Sequence, residues 1–132
     1  MDADFKCKEL TKTVIGAAFK VHNALGAGFL EKVYENALCL ELRNAGFRVE
    51  QQRAIQVWYA GKVVGDYVAN VVVNDVLILE IKAVASLDKA HEVQLVNYLK
   101  ATGLEVGLLI NFGVSVEVRW RIFSHEHLAK SV

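Results

Sequence analysis

The first third of the chain carries apolar residues at intervals of three and four, which is the repeat of an amphipathic helix. This pattern predicts one helix over residues 8–25 and a second over residues 29–45. A short segment from Gly26 to Gly28 separates the two helices, and Gly46 is well placed to end the second one in the left-handed conformation. The chain therefore begins with a predicted pair of helices.

After Gly46 the sequence changes to segments rich in β-branched and aromatic residues, separated by turn residues. Five strands are predicted, over residues 47–59, 63–73, 76–83, 105–112 and 116–123. A helix over residues 87–102, capped by Ser86 and ended by Gly103, separates the third strand from the fourth. The last strand alternates apolar and charged residues, which is typical of a half-exposed edge.

The order of these elements predicts the fold class. Short turns join the first three strands, so antiparallel pairing is their simplest arrangement. The helix before the fourth strand allows a crossover to a parallel neighbour. We therefore predict an α/β protein with a mixed central sheet flanked by helices.

The composition is that of a single globular domain. The chain has 132 residues, 54% of them hydrophobic, and its 15 basic residues are balanced by 15 acidic ones. A chain of this length can bury a core, and proline is absent, so no Pro-rich linker divides residues 1–132. The zero net charge argues against binding nucleic acid by bulk charge alone, while a local basic patch is compatible with it.

No segment has the pattern of a targeting or membrane sequence. Residues 1–6 include two acidic side chains and lack an apolar signal core. No apolar run approaches the ~20 residues that are needed to cross a bilayer. We expect a cytoplasmic protein with no membrane partner.

An acid and a lysine interrupt the most apolar of the predicted strands. Glu80 and Lys82 lie two residues apart in that strand, so they project from the same face. Burying either charge alone is costly, and such side chains are usually matched to each other, to a metal or to a substrate. The alternative is a strand end that reaches solvent and carries an ordinary ion pair.

Two helices carry further candidates. Glu31 shares the apolar stripe of the second helix with Tyr34 and Leu38. It therefore either has a partner or gains stability from the positive end of the helix dipole. Gln94 and Tyr98 share one face of the third helix, and taken alone they make an ordinary polar helix face.

Together these residues resemble a known family. Residues 28–34, Gly-Phe-Leu-Glu-Lys-Val-Tyr, match the motif that names the GxxExxY proteins, which are placed in the PD-(D/E)xK nuclease superfamily. The likeness continues through residues 80–82 as an ExK element, residues 94–98 as a QxxxY element, and residues 109–113. It implies a restriction-endonuclease-like αβββαβ core with an extra N-terminal helix.

The resemblance implies a site for a divalent metal ion. In active members two carboxylates and a backbone carbonyl hold Mg²⁺ or Mn²⁺, which polarises the phosphodiester and activates the attacking water. Here Glu80 and the main-chain carbonyl of Ile81 would be ligands. The match fails at the other carboxylate, because the family pattern of arginine followed two residues later by aspartate is replaced by Val68 and Asn70. Asn70 keeps an oxygen that can bind metal but lacks its charge, so we expect weaker affinity.

The resemblance also implies roles in catalysis for five residues. Glu80 would bind the metal, and Lys82 would orient the attacking water or stabilise developing charge. Glu31 would join the acidic cluster directly or through water. Gln94 and Tyr98 would position the phosphate or the lysine.

The turn between the second and third strands tests this placement. A two-residue turn would put Asn70 and Glu80 on opposite faces of the sheet. A three-residue turn through Val76 would pair Val73 with Leu77 and put Asn70 beside Glu80 on the same face. We predict the longer turn.

Two functions from different classes follow from these residues. The first is a metal-dependent nuclease that acts on DNA or RNA, weakened by Asn70. The second is a catalytically inactive module of the same fold that binds nucleic acid or protein. Nucleic acid is the expected partner, and a homodimer is a further expectation because small nuclease-fold proteins often pair to act on two strands.

Overall fold

The computed structural model describes residues 3–125. Within that part of the chain, the elements are α1 (Ala3–Leu25), α2 (Glu31–Asn44), β1 (Val49–Tyr59), β2 (Lys62–Val73), β3 (Leu77–Lys82), α3 (Lys89–Thr102), β4 (Val106–Phe112) and β5 (Val116–Ile122). Every predicted helix and strand is present, and only the ends differ, by a few residues.

The five strands form one mixed sheet in the order β1-β2-β3-β4-β5. β3 and β4 are parallel, because α3 carries the chain across the sheet between them. The other neighbouring strands pair in the antiparallel sense. The predicted α/β fold with a mixed sheet is therefore confirmed, and β5 forms an edge of the sheet as expected.

Helices cover both faces of the sheet. α1 and α2 pack on one face, where the buried cluster includes Val14, Ala18, Tyr34, Leu38, Leu42, Val71, Leu79 and Ile110. α3 packs on the other face through a smaller cluster that includes Ile78, Leu95, Leu99 and Leu109. None of the helices in residues 3–125 is long and apolar enough to span a membrane.

The ends of α2 and α3 show which of the predicted helix caps are correct. Gly46 has a φ of 92° and Gly103 a φ of 82°, so both end their helices in the left-handed conformation as predicted. The predicted cap at Ser86 is wrong, since the N-cap residue of α3 is Asp88, two residues later. The Asp88 carboxylate accepts from the Ala90 N–H, and the His91 ring accepts from the Asp88 N–H. This reciprocal pair of hydrogen bonds is what fixes the start of α3.

The hairpin of β1 and β2 extends well beyond the rest of the sheet. β1 has 11 residues and β2 has 12, yet β2 pairs with β3 only from Val71 to Val73. The two strands continue alone from the Arg53 and Ala69 pair to the turn at Tyr59 and Lys62. This projecting part of the hairpin, residues 53–69, is called the β1–β2 arm below.

Candidate functional site

The strands β2 and β3 separate immediately after Val71 pairs with Leu79. Asn70 and Glu80 are the next residues on the two strands. The Asn70 N–H donates to Oε1 of Glu80 at 3.0 Å, and the Ile81 N–H donates to Oδ1 of Asn70 at 2.7 Å. Two side chains thus bridge the strands where regular ladder bonds end, and this place is called the fork.

The register at the fork agrees with the sequence prediction. Val73 pairs with Leu77, and the turn between them occupies residues 74–76. The three-residue turn places Asn70 beside Glu80, within hydrogen-bond distance rather than on opposite faces.

Glu80 is a buried carboxyl with only 3% of its surface exposed. Burial raises its pKa from the ordinary 4.5 to about 7, since removal from water disfavours the charged form. The Asn70 N–H and the positive charge of Lys82 act in the opposite direction, while Glu31 and Glu35 raise the pKa further. Near neutral pH this carboxyl is therefore poised between its neutral and charged forms.

Glu31 and Lys82 approach Glu80 from different elements. Glu31 is the first residue of α2, and Lys82 is the last residue of β3. Both side chains are half-buried, and both act on the charge of Glu80. Within residues 3–125 neither makes a salt bridge shorter than 4.0 Å, so Lys82 is not tied to Glu80 as an ordinary ion pair.

The fork offers oxygen donors of the kind that Mg²⁺ and Mn²⁺ prefer. These are the Glu80 carboxylate, the Asn70 amide oxygen and the carbonyl of Ile81. A strand residue directs its N–H and its carbonyl to the same neighbour, so the Ile81 carbonyl faces the edge where its N–H contacts Asn70. In the described part of the chain, no three His, Cys, Asp or Glu side chains converge on one point. The donors fit a divalent ion held with little negative charge.

Glu35 is a buried acid that the sequence reasoning did not single out. Its carboxylate accepts hydrogen bonds from Lys32, Gln51 and Gln52 at 2.9 to 3.1 Å. It lies one helical turn after Glu31, and its charge reaches Glu80. Helical spacing alone could have found it, because Glu35 is three, four and seven residues from buried positions of α2.

Gln52 holds Glu35 from an unusual backbone position. Its φ is 56°, in the left-handed region that residues other than glycine seldom occupy. The alternation of β1 is interrupted at Gln52, so odd-numbered residues before and after it face opposite sides of the sheet. Val49 packs on the α1 and α2 side, whereas Ile55 packs on the α3 side.

Tyr34, the tyrosine of the GxxExxY-like segment, lies in the core of the protein and not at the fork. Tyr34 is fully buried and stacks on Phe112, with ring centres 4.7 Å apart. Its hydroxyl donates to the Gly26 carbonyl at 2.6 Å and accepts from the Phe29 N–H at 3.2 Å. Tyr34 therefore fixes the loop that starts α2, and through it the place of Glu31.

Gln94 and Tyr98 stand on α3, on the other side of the fork. Both line a cleft of about 690 Å³ between α3 and the β1–β2 arm. Burial raises the pKa of Tyr98, and the negative charge of Glu80 adds to the effect, so Tyr98 lies near the carboxyl. No hydrogen bond within residues 3–125 joins Gln94 or Tyr98 to Lys82.

The raised pKa of Glu80 predicts how stability changes with pH. Between about pH 4.5 and pH 7 the folded state binds a proton that the unfolded state has lost, so the free energy of unfolding falls as pH rises. Glu80→Gln keeps an acceptor for the Asn70 N–H and removes this titration. We expect the variant to be more stable than the natural protein at pH 8, by up to about 3 kcal/mol.

Urea unfolding at pH 5 and pH 8 in metal-free buffer measures this difference. Glu9→Gln, which changes an exposed acid on α1, is the matched control and should leave the pH dependence unchanged. Equal pH dependence in the natural protein and Glu80→Gln would contradict the assignment of this titration to Glu80.

The fold and the fork together define a class of protein. A mixed sheet whose second and third strands separate around a buried Glu and a Lys two residues later is the restriction-endonuclease-like architecture. The sequence model of the PD-(D/E)XK nuclease superfamily matches residues 8–123, and the chain belongs to this superfamily. Its nucleases generally use divalent metal ions. The superfamily expected from the sequence is confirmed, and the narrower GxxExxY grouping stays a prediction.

Two further comparisons concern whole proteins. The crystal structure of SSO0001 is similar to this chain with a TM-score of 0.51 and 16% sequence identity, which speaks to the fold alone. The similarity covers 97% of this chain and 65% of that one, so the chain spans about two thirds of the length of SSO0001. No curated protein matches the chain.

Proposed function

We propose that this protein is a nuclease that hydrolyses phosphodiester bonds of DNA or RNA with a divalent metal ion, and that Asn70 weakens it. The observation that carries the proposal is the buried Glu80 at the fork. A carboxyl that is 3% exposed and lies beside two other acids is costly to keep charged. A bound cation would remove that cost.

Three oxygen donors of the chain would hold Mg²⁺ or Mn²⁺. They are the carboxylate of Glu80, the amide oxygen of Asn70 and the carbonyl of Ile81. When bound, the ion would polarise the phosphodiester and lower the pKa of an attacking water. Glu31 would add negative charge to the cluster, directly or through water.

The remaining residues of the proposed site act on the water and the phosphate. Lys82 would orient the attacking water and stabilise the charge that develops in the transition state. Gln94 and Tyr98 would position the phosphate from the α3 side. Tyr98 suits this role because its hydroxyl stays protonated near Glu80 and can donate a hydrogen bond.

The alternative is a catalytically inactive module of the same fold that binds nucleic acid or protein. The observation that favours it is the pair of hydrogen bonds that Asn70 and Glu80 make between the strands, because these bonds already give both side chains a structural role. The homodimer and the cytoplasmic location expected from the sequence also stay predictions. Sedimentation of the purified protein measures the oligomeric state.

Metal binding should depend on pH in a way that identifies Glu80. A carboxyl with a pKa of about 7 must lose its proton before it can bind a cation, so affinity falls as pH drops. We expect Mn²⁺ to bind about tenfold more weakly at pH 6 than at pH 8, as measured by calorimetry. Glu80→Gln should bind little Mn²⁺ at either pH.

Asp75→Asn is a suitable control, because Asp75 is an exposed acid in the turn and is paired with Arg53. Its Mn²⁺ affinity should equal that of the natural protein. Absence of binding to the natural protein at millimolar Mn²⁺ and pH 8 would contradict the metal site and favour the inactive module.

A further inference from the structure

The cleft between α3 and the β1–β2 arm is called the arm cleft. Its arm side is lined by Trp58 and Tyr67, which are 61% and 50% exposed. The Tyr67 ring lies 5.9 Å from the ring of Tyr98, the residue that also lies near Glu80. Large aromatic residues are thus exposed on a concave surface that also includes Tyr98.

On its α3 side, the arm cleft is lined by two amide side chains at the centre and by an alanine at each end. Ala90, Gln94, Asn97 and Ala101 follow one another at intervals of four, three and four residues, so they form one stripe along the helix. Within residues 3–125 neither amide side chain makes a hydrogen bond. The two amides therefore face the cleft with donors and acceptors that a ligand can use.

Positive charge borders the arm cleft. Lys100 lines it and also lines a second, smaller hollow between α3 and β5, together with Lys89 and Arg121. The acid in this second hollow is Glu92, and it is already bound by both Arg119 and Arg121. A chain of phosphates leaving the cleft over α3 would meet a surface that is locally basic although the protein as a whole is neutral.

The volume of the arm cleft limits the size of the ligand that it can hold. A space of 690 Å³ is typical of a small-molecule site and can hold a nucleotide, but it is too small to enclose a duplex. Exposed aromatic rings stack on unpaired bases, amides bond to base edges, and lysines contact the backbone. A second copy of this chain would bury the aromatic rings equally well but would not need the row of amides or the basic border.

We propose that the arm cleft binds single-stranded nucleic acid, with a base stacked on Tyr67 and Trp58 and the backbone passing Lys100. The choice of nucleic acid as the ligand rests on the proposed nuclease function. The cleft adds that the substrate is single-stranded, since the bound strand would reach the fork past Tyr98.

Binding of labelled oligothymidylate and oligouridylate, measured by fluorescence anisotropy in buffer with EDTA, tests the proposal. Because no metal is present, binding is measured independently of cleavage, so failure here and failure of the hydrolysis assay are distinguishable. We expect both single strands to bind more tightly than a blunt duplex of the same length. Tyr67→Ala and Trp58→Ala should each weaken single-strand binding by about tenfold.

Matched controls separate the cleft from exposed aromatic and basic residues in general. Tyr59 is 75% exposed and follows Trp58 but does not line the cleft, so Tyr59→Ala should bind normally. Lys100→Gln should reduce the dependence of log affinity on log salt by about 0.7, whereas Lys12→Gln on α1 should not.

Three results would overturn the proposal. The first is no single-strand binding, or binding no tighter than that of the duplex. The second is equal loss of binding in Tyr67→Ala and Tyr59→Ala. The third is a dimer in sedimentation that Tyr67→Ala converts to monomer, because the occupant of the cleft would then be a second copy of the chain.

Discussion

Asn70→Asp is expected to strengthen metal binding and to raise nuclease activity above that of the natural protein. The new carboxylate would stand where Asn70 accepts the Ile81 N–H at 2.7 Å, next to the carboxylate that the Asn70 N–H already holds. Two adjacent carboxylates attract a divalent ion far more strongly than one carboxylate and one amide. We expect Mn²⁺ affinity to increase on the order of tenfold to a hundredfold.

The same substitution should have the opposite effect without metal. Two neighbouring carboxylates repel each other, so the pKa of Glu80 should rise further and the metal-free variant should be less stable above neutral pH. Calorimetry with Mn²⁺ and urea unfolding with EDTA measure the two effects. The double variant Asn70→Asp, Glu80→Ala is the control, and it should regain no activity. Unchanged Mn²⁺ affinity in Asn70→Asp would contradict the position of the metal site.

Lys82→Met is expected to reduce cleavage by about a hundredfold or more without abolishing metal binding. Lys82 has no salt bridge in residues 3–125, so its charge is available to the attacking water or to the transition state. The long apolar stem of methionine keeps the half-buried packing at the end of β3. Rates are best measured in the Asn70→Asp background, where the higher expected activity makes a large decrease measurable.

Loss of the Lys82 charge also removes an interaction that lowers the pKa of Glu80. The rate should therefore be compared at pH 8.5 as well as at pH 7, so that incomplete ionisation of Glu80 is not mistaken for loss of the lysine. Lys12→Met, which replaces an exposed lysine on α1, should cleave normally. Cleavage by Lys82→Met at the rate of its parent would exclude Lys82 from the reaction.

The fold and the position of the fork could be predicted from the sequence because short-range signals specify them. The order of helical and alternating segments implies a crossover before β4, and the pairing of Val73 with Leu77 then fixes every partner along β2 and β3. The resemblance to the PD-(D/E)xK pattern assigned Asn70 to the site, and this register sets it beside Glu80. The chemistry of an acid and a lysine in an apolar strand pointed to the same location.

Other parts of the site depend on contacts between distant segments. Gln52 adopts a left-handed conformation to reach Glu35, and no turn residue marks this kink in the sequence. The arm cleft likewise exists because β1 and β2 continue past the point where β3 leaves them and α3 packs beside them. Residues such as Tyr67 and Asn97 are 30 positions apart and share a cleft only through this packing.

Cleavage of a mixed panel of DNA and RNA in Mn²⁺ at pH 8 tests the central claim most directly. The natural protein, Asn70→Asp and Glu80→Ala would be compared after circular dichroism has verified that all three are folded. We predict slow cleavage by the natural protein, faster cleavage by Asn70→Asp, and none by Glu80→Ala. No cleavage by any of the three proteins, or equal cleavage by the natural protein and Glu80→Ala, would contradict a metal-dependent nuclease at the fork.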